Sequence, residues 1–307
     1  MIDFSAGLAG TGTGEWAKET HNAAVGCPHD CVYCYARFNA RHLGWIDSLE
    51  AWKDMRLLPE RVEQAAHKFH DTSVMFPSTH DITPEILPEA LQILRNLLGA
   101  RNKVLFVSKP HLEVIQAICQ EFGAYKGQLE FRFTIGGSAA TCALLEPAAP
   151  SPEERIAALR HAFDAGYATS VSMEPMLGPN DAMCALVDRV APYVTGTTWL
   201  GKLNRGVPKY LQARPGIKDA LCAIRAGQSD ELILQLHDRL DGNPKVRWKD
   251  SIKDVLRAHG RLPALPLPPA KTVDASLQAA LHAKRSAAAK KAHETMRKRR
   301  EEQIQGS

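Results

Sequence analysis

Between residues 21 and 200, short runs of β-branched and aromatic residues alternate with longer stretches of helical periodicity. The runs predict strands at 21–25, 73–76, 104–107, 129–135, 169–172 and 197–200. The stretches between them predict helices at 59–69, 84–98, 112–122, 152–165 and 181–190. The helix from 152 has the clearest limits. Ser151-Pro152-Glu153-Glu154 is a capping box with proline at the first helical position, and Gly166 ends the run. Strands alternating with helices imply right-handed βαβ units and a parallel sheet, an α/β fold. Six such units make either an open sheet or a partial barrel, and in both cases ligands gather at the carboxyl ends of the strands. Further on, Trp248, Ile252, Val255 and Leu256 suggest a closing helix on the body. No short-period repeat appears beyond the βα alternation.

The pattern changes after residue 258. Residues 261–270, RLPALPLPPA, hold four prolines, which fix φ and remove backbone donors, so this reads as an extended spacer. From 274 to 305 there is no aromatic residue, glycine or proline, and Ala, Lys, Arg, Glu and Gln dominate. Helix propensity is high there and the capacity to form a core is low. The expected organisation is a core domain over 1–258, a proline-rich linker over 259–270, and a basic helical or disordered tail over 271–307. Charge follows the same division. Of 38 basic and 34 acidic residues, nine and four lie in 271–307, leaving 29 and 30 for 1–270. The basicity belongs to the tail.

Composition narrows the class. Hydrophobic residues at 45% and charged residues at 23% fit a globular protein. No run approaches the ~18 apolar residues of a membrane span, and the opening MIDFSAGLAGTG lacks the basic and apolar regions of a signal peptide. Seven cysteines, an odd number, argue against a disulfide framework and for a reducing compartment. The expectation is a cytoplasmic protein without a membrane partner, whose clustered cysteines bind metal or do redox chemistry.

That cluster directly follows the first predicted strand: Gly26-Cys27-Pro28-His29-Asp30-Cys31-Val32-Tyr33-Cys34-Tyr35-Ala36-Arg37. Cysteines at x3 and x2 spacing on a tight loop can converge on one site. A [4Fe–4S] cube takes four thiolates, so three leave one iron open to a substrate or cofactor. The alternative is a structural zinc site with His29 as fourth ligand. Such sites usually draw on two separate knuckles, and no second CxxC or HxxxH pair occurs. A thioredoxin-like pair would need a lone CxxC.

CxxxCxxC with an aromatic residue, Tyr33, just before the last cysteine resembles the signature of the radical S-adenosylmethionine (SAM) superfamily. The placement after the first strand is similar too, and the βα pattern supports the resemblance over about residues 15–205. It implies a partial (β/α)6 TIM-like barrel. It also implies that Cys27, Cys31 and Cys34 hold three irons of a [4Fe–4S] cluster whose fourth iron chelates SAM. An external one-electron reductant, flavodoxin- or ferredoxin-like, would then drive cleavage of SAM to a 5′-deoxyadenosyl radical that abstracts hydrogen from substrate.

The resemblance directs attention to the strand ends. After the second strand come Ser78, Thr79 and Asp81, oxygen acceptors for the SAM amino group or an N-cap before Pro84. Lys109 follows the third strand, placed to pair with the SAM carboxylate. On the fourth, Arg132 and Thr134 share a face and can line the barrel near the ribose, while Gly136 and Gly137 let backbone approach a ligand. Glu174 and Lys202 end the fifth and sixth strands, as a barrel ion pair or as walls of a polar pocket. Trp45 and Trp52 flank the segment after the cysteines, which covers the cluster opening or packs conventionally.

FPSTHDITPE, VLFVSKP, FRFTIG, SMEPM and GKLN resemble the branch related to spore photoproduct lyase. One departure matters. Lyases that reverse the thymine photoproduct carry a hydrogen-donating cysteine near the end of the second strand, and 75–81 has none. Cys142 is a substitute donor or a buried incidental thiol. Cys119, in register with Val114, Ile115 and Ile118, reads as core. In the tail, Arg297-Lys298-Arg299-Arg300 with Lys284, Arg285, Lys290 and Lys291 can neutralise phosphates, so nucleic acid is the expected partner. Without aromatics that contact would be electrostatic and blind to sequence. The leading expectation is hydrogen abstraction from a nucleic-acid base or nucleotide. The alternatives are a non-catalytic iron–sulfur or zinc module that binds nucleic acid, and the same chemistry on a small molecule or protein.

Overall fold

The computed structural model describes residues 4, 12–203 and 206–263. Most of the expected linker, and the whole tail from 271, lie outside the described residues. Seven strands form one sheet: β1 Glu19–Thr20, β2 Ser73–Phe76, β3 Lys103–Ser108, β4 Leu129–Thr134, β5 Ala168–Met173, β6 Thr198–Leu200 and β7 Val246–Trp248. They lie in chain order, and every neighbouring pair is parallel. Register runs from Thr20 opposite Met75 to Leu200 opposite Trp248.

The alternation within each strand sorts its side chains onto two faces. Val74, Phe76, Val104, Phe106, Phe131, Phe133 and Val171 pack with helix residues such as Ile93, Leu97, Ile115 and Leu159 in the main core. Phe131 sits at its centre, with the Phe106, Phe133 and Tyr167 rings 5.6, 5.5 and 5.2 Å away. A fully buried phenylalanine of this kind contributes on the order of 3 kcal/mol. The opposite face carries Met75, Leu105 and Trp199, covered by Phe4 and Trp16. Sequential order with crossovers of one hand places the helices on one face and leaves the other to line a site.

The expected helices form with small shifts. Pro152–Asp164 begins as its capping box requires, with Ser151 Oγ accepting from Glu154 N at 3.1 Å. Residues 59–69 keep a helix only at Pro59–Gln64, and 84–98 becomes a 3-10 turn, Pro84–Ile86, leading into Leu87–Gly99. Two corrections are larger. The first strand is Glu19–Thr20, not 21–25. Beyond it, the Ala23 and Ala24 N–H groups donate to His80 Nε2 at 3.0 and 3.3 Å instead of joining the sheet. Ala24–Val25 then pairs antiparallel with Arg56–Leu57 in a separate ribbon. At the far edge Trp248 belongs to β7, and the closing helix Asp250–Ala258 starts after it.

Candidate functional site

The turn out of the sheet sets the cysteine loop. Gly26 has φ +99°, and a Cβ there would meet Trp52 O, Asp54 O and Met55 Cα, all at 2.9 Å. Only glycine lets the loop press this closely on 52–55, where Cys27 N donates to Trp52 O at 2.8 Å. Val32 N anchors the other side on Leu145 O at 2.9 Å. Cys34 is the N-cap of the helix Tyr35–His42, so the positive end of that helix faces the loop. Cys27 and Cys31 are buried and Cys34 is half-buried.

All three cysteines line one cavity of about 470 Å³ at the carboxyl ends of the strands. Its walls also include Tyr33, Ser78, Thr79, Asp81, Lys109, Thr134, Glu174 and Lys202. Of the residues expected to meet SAM, Arg132 alone lies beneath the cavity rather than on its wall. There its guanidinium donates to Ser170 Oγ at 2.9 Å and Glu130 Oε1 at 3.1 Å, with the Trp16 ring centroid 4.9 Å away. Gly136 approaches Pro175 O, where a Cβ would stand at 2.3 Å, so its missing side chain serves the close approach of the segments that follow β4 and β5.

Burial pushes all three thiols up, Cys27 to about 12; for Cys31 and Cys34 the positive charge of Lys109 opposes that rise. Neutral buried thiols become ligands only when a bound cation stabilises the thiolate. Among the described residues, the one group of three Cys, His, Asp or Glu ligand atoms all within 4.8 Å of one another is Cys27, His29 and Asp81. Three soft sulfur donors lining one cavity are the donor type that an iron–sulfur cluster takes.

Asp81 organises the wall beside them. Its Oδ1 accepts from Ser108 Oγ at 3.1 Å and Lys109 N at 2.8 Å, and its Oδ2 accepts from His29 Nδ1 at 2.8 Å. Lys109 Nζ stands 3.8 Å from Oδ2. Burial alone would raise this carboxyl, but Lys109 and His29 outweigh it and hold it well below the usual carboxylate range. His29 Nε2 in turn meets His111 Nε2 at 3.1 Å. Next to Asp81, His80 accepts two backbone N–H bonds at Nε2, so its proton sits on Nδ1 and is donated to Asp81 O at 3.0 Å. Asn22 clamps the preceding turn: Ser78 N and Thr79 N donate to its Oδ1 at 2.8 and 2.9 Å, and its amide donates to Ser78 Oγ at 2.9 Å. Behind the loop, Tyr33 OH and Arg155 both donate to the buried carboxylate of Glu146.

At the opposite wall Glu174 and Lys202 do not pair. Glu174 lies 3.6 Å from Lys249 Nζ, and Lys202 lies 3.5 Å from Asp230. Lys249 also pairs with the buried Glu15 and stands 4.3 Å from the Trp16 ring centroid. Sequence reasoning missed Glu15, Trp16, Tyr35, His111 and Lys249. Lys249 follows β7, so recognising that short strand would have marked it by the strand-end rule. Trp52 lines the cavity while Trp45 is 51% exposed, which divides the two roles considered for that segment. Cys142 is buried away from the cavity wall, and Cys119 packs in the core.

The fold and site together define an α/β protein with a thiol-lined pocket at the carboxyl edge of a parallel sheet. No family model matches the chain. Over 171 residues it is 29% identical to an uncharacterized protein, ORF301, of Acidianus two-tailed virus, covering 52% of this chain and 56% of that relative. The match thus spans about half the relative's length. Among solved structures the chain is similar to spore photoproduct lyase complexed with dinucleoside spore photoproduct, at 18% identity and TM-score 0.49 over 79% of this chain and 78% of that one. A mutant of that lyase with bound AdoMet and dinucleoside spore photoproduct gives 19% identity and TM-score 0.47, over 72% and 63%. The likeness is structural, at low identity.

Proposed function

We propose that the chain is a radical SAM enzyme, its sheet curved into a partial (β/α)6-type barrel with a seventh strand at the edge. The observation that carries this reading is the cysteine loop: three thiols in CxxxCxxC spacing that line one cavity on the strand-end side of a parallel sheet. Cys27, Cys31 and Cys34 would hold a [4Fe–4S] cluster. With SAM bound beside it, that group supplies one-electron cleavage of SAM and hydrogen abstraction from substrate.

The chain's own residues bind and orient. Lys109, buried at the cavity wall, offers its ammonium to the SAM carboxylate. The clamped turn at Ser78 and Thr79 offers oxygen acceptors to the amino group. Asp81 already accepts from Ser108, Lys109 N and His29, so its role toward SAM is to position Lys109 and the cysteine loop. Thr134, Glu174 and Lys202 furnish the polar wall for the ribose and substrate, with Lys249 behind Glu174. Arg132 supports that wall from beneath.

The proposed substrate is a nucleic-acid base or nucleotide, and the support is the basic segment 271–307. Among the described residues, the three loop cysteines are the only ones lining the cavity, so photoproduct reversal through a donor cysteine is not part of the proposal. A flavodoxin- or ferredoxin-like protein would deliver the electron, in the cytoplasm. Replacing Cys31 by Ala tests the reading: iron loading and 5′-deoxyadenosine formation should be lost together. Persistence of SAM cleavage in that variant would refute it.

A further inference from the structure

The geometry points to a second, mononuclear metal site made by Cys27 Sγ, His29 Nδ1 and Asp81 Oδ2, which takes a zinc-class divalent cation when the chain holds no cluster. These three ligand atoms lie within 4.8 Å of one another, and all three residues are buried. Zinc bonds of about 2.0–2.3 Å set tetrahedral ligand separations near 3.3–3.5 Å. The existing separations are 2.8 Å for His29–Asp81 and 3.9 Å for Cys27–Asp81, each about half an ångström from those values, and Cys27–His29, within 4.8 Å, closes by up to about 1.3 Å as the ion draws the Cys27 side chain in. A divalent cation with one thiolate, one carboxylate and a neutral imidazole is electrically balanced, which burial requires. Borderline nitrogen and sulfur donors select zinc over magnesium or calcium.

The surrounding groups match what ligands of such an ion need. Asp81 Oδ1 is already fixed by Ser108 Oγ and Lys109 N, which leaves Oδ2 for the metal. With His29 Nδ1 on the metal, its ring proton moves to Nε2 and is donated to His111 Nε2, now 3.1 Å away. The His111 Nδ1 proton then faces Glu154 Oε1 at 3.9 Å. A ligand histidine that hands its second N–H to a fixed acceptor is the usual outer support of a zinc site. Cys27 and Asp81 line the cavity, which gives the ion an entry path and a fourth, open position. Lys109 Nζ, 3.8 Å from Oδ2, is the competing cation, and it sits on a flexible stem. The site stands without the radical SAM reading. Its consequence rests on that reading: Cys27 is shared, so the ion and the cluster exclude each other.

The test is an oxygen-free Co²⁺ titration of the full chain stripped of metal, with circular dichroism to verify folding of each variant. The expected result is one Co²⁺ per chain with tetrahedral visible bands and a charge-transfer band of single-thiolate intensity. The signal should persist in Cys34→Ser, disappear in His29→Asn, and weaken about tenfold or more in His111→Ala. Iron–sulfide reconstitution should give the converse, with the cluster kept in His29→Asn and lost in Cys34→Ser. Loss of the Co²⁺ signal in Cys34→Ser with retention in His29→Asn would mean a three-thiolate site and overturn the inference. So would absence of Co²⁺ uptake by the wild type. Failure of wild-type reconstitution would instead remove the proposed function and leave the Co²⁺ result standing.

Discussion

Glu146→Gln isolates the buried network that backs the cysteine loop. Glu146 accepts from Tyr33 OH on one carboxylate oxygen and from Arg155 on the other. The side chains of Arg155 and Glu146 are 0% and 1% exposed. The amide keeps the shape and one acceptor but leaves the guanidinium without a countercharge. Breaking a buried pair from one side costs about 3–5 kcal/mol, far above the ~0–1 kcal/mol of a surface pair. Tyr33→Phe removes only its bond to that carboxylate, about 1.5–3 kcal/mol, and the double variant should be non-additive because the groups share one carboxylate. The pH dependence adds a second check. Burial raises the Glu146 carboxyl, but Arg155 and Lys109 outweigh it and leave it below 4.5. A depressed carboxylate contributes stability above its unfolded value, and that contribution is lost as pH falls through the folded value. Part of the acid sensitivity below about pH 4.5 should therefore vanish in Glu146→Gln. Urea unfolding of the full chain at pH 7 and at pH 4 measures both effects. A cost under about 1 kcal/mol at pH 7, with unchanged acid sensitivity, would refute the reasoning.

Gly26→Ala should lower the melting temperature and prevent iron loading, since its Cβ meets three backbone atoms at 2.9 Å; normal iron content would show that the loop has room. Lys109→Met should keep the cluster and weaken SAM binding at least tenfold by equilibrium dialysis, and unchanged affinity would remove its proposed contact with the carboxylate. Burial holds His21 down to about 4, whereas the unfolded imidazole protonates near 6.5. The unfolded chain then binds the extra proton, so stability should fall by up to about 3 kcal/mol as pH drops from 6.5 to 4. His21→Gln should flatten that slope, and an unaltered slope would place its origin elsewhere. Removing 271–307 should spare SAM cleavage and abolish the salt-dependent part of nucleic-acid binding in a filter assay; an unchanged salt slope would exclude the tail.

The central strands were legible because 104–107 is a dense apolar run buried on both faces, while 129–134 alternates Leu129, Phe131 and Phe133 with Glu130, Arg132 and Thr134 in the period of a strand. The helix at 152 was legible because Ser151, Pro152 and Gly166 each have a local reason to stand where they do. The edges were not. Glu19–Thr20 is two residues long and Val246–Trp248 three, too short for period-two alternation to register. At 21–25, His21 N still donates to Met75 O, but the Ala23 and Ala24 donors go to His80, a side chain remote in sequence. The cysteine loop was readable from spacing alone. Its supports were not, because His29–Asp81, Tyr33–Glu146 and Glu15–Lys249 join residues 52, 113 and 234 positions apart, and only the fold brings them together.

The most direct measurement is electron paramagnetic resonance of the reconstituted, reduced full chain, recorded without oxygen and with and without SAM. The expected result is a [4Fe–4S]⁺ signal that shifts when SAM is added, with 5′-deoxyadenosine appearing in the same sample. A fully reconstituted chain that shows no cluster signal, or a cluster signal indifferent to SAM, would contradict the radical SAM assignment.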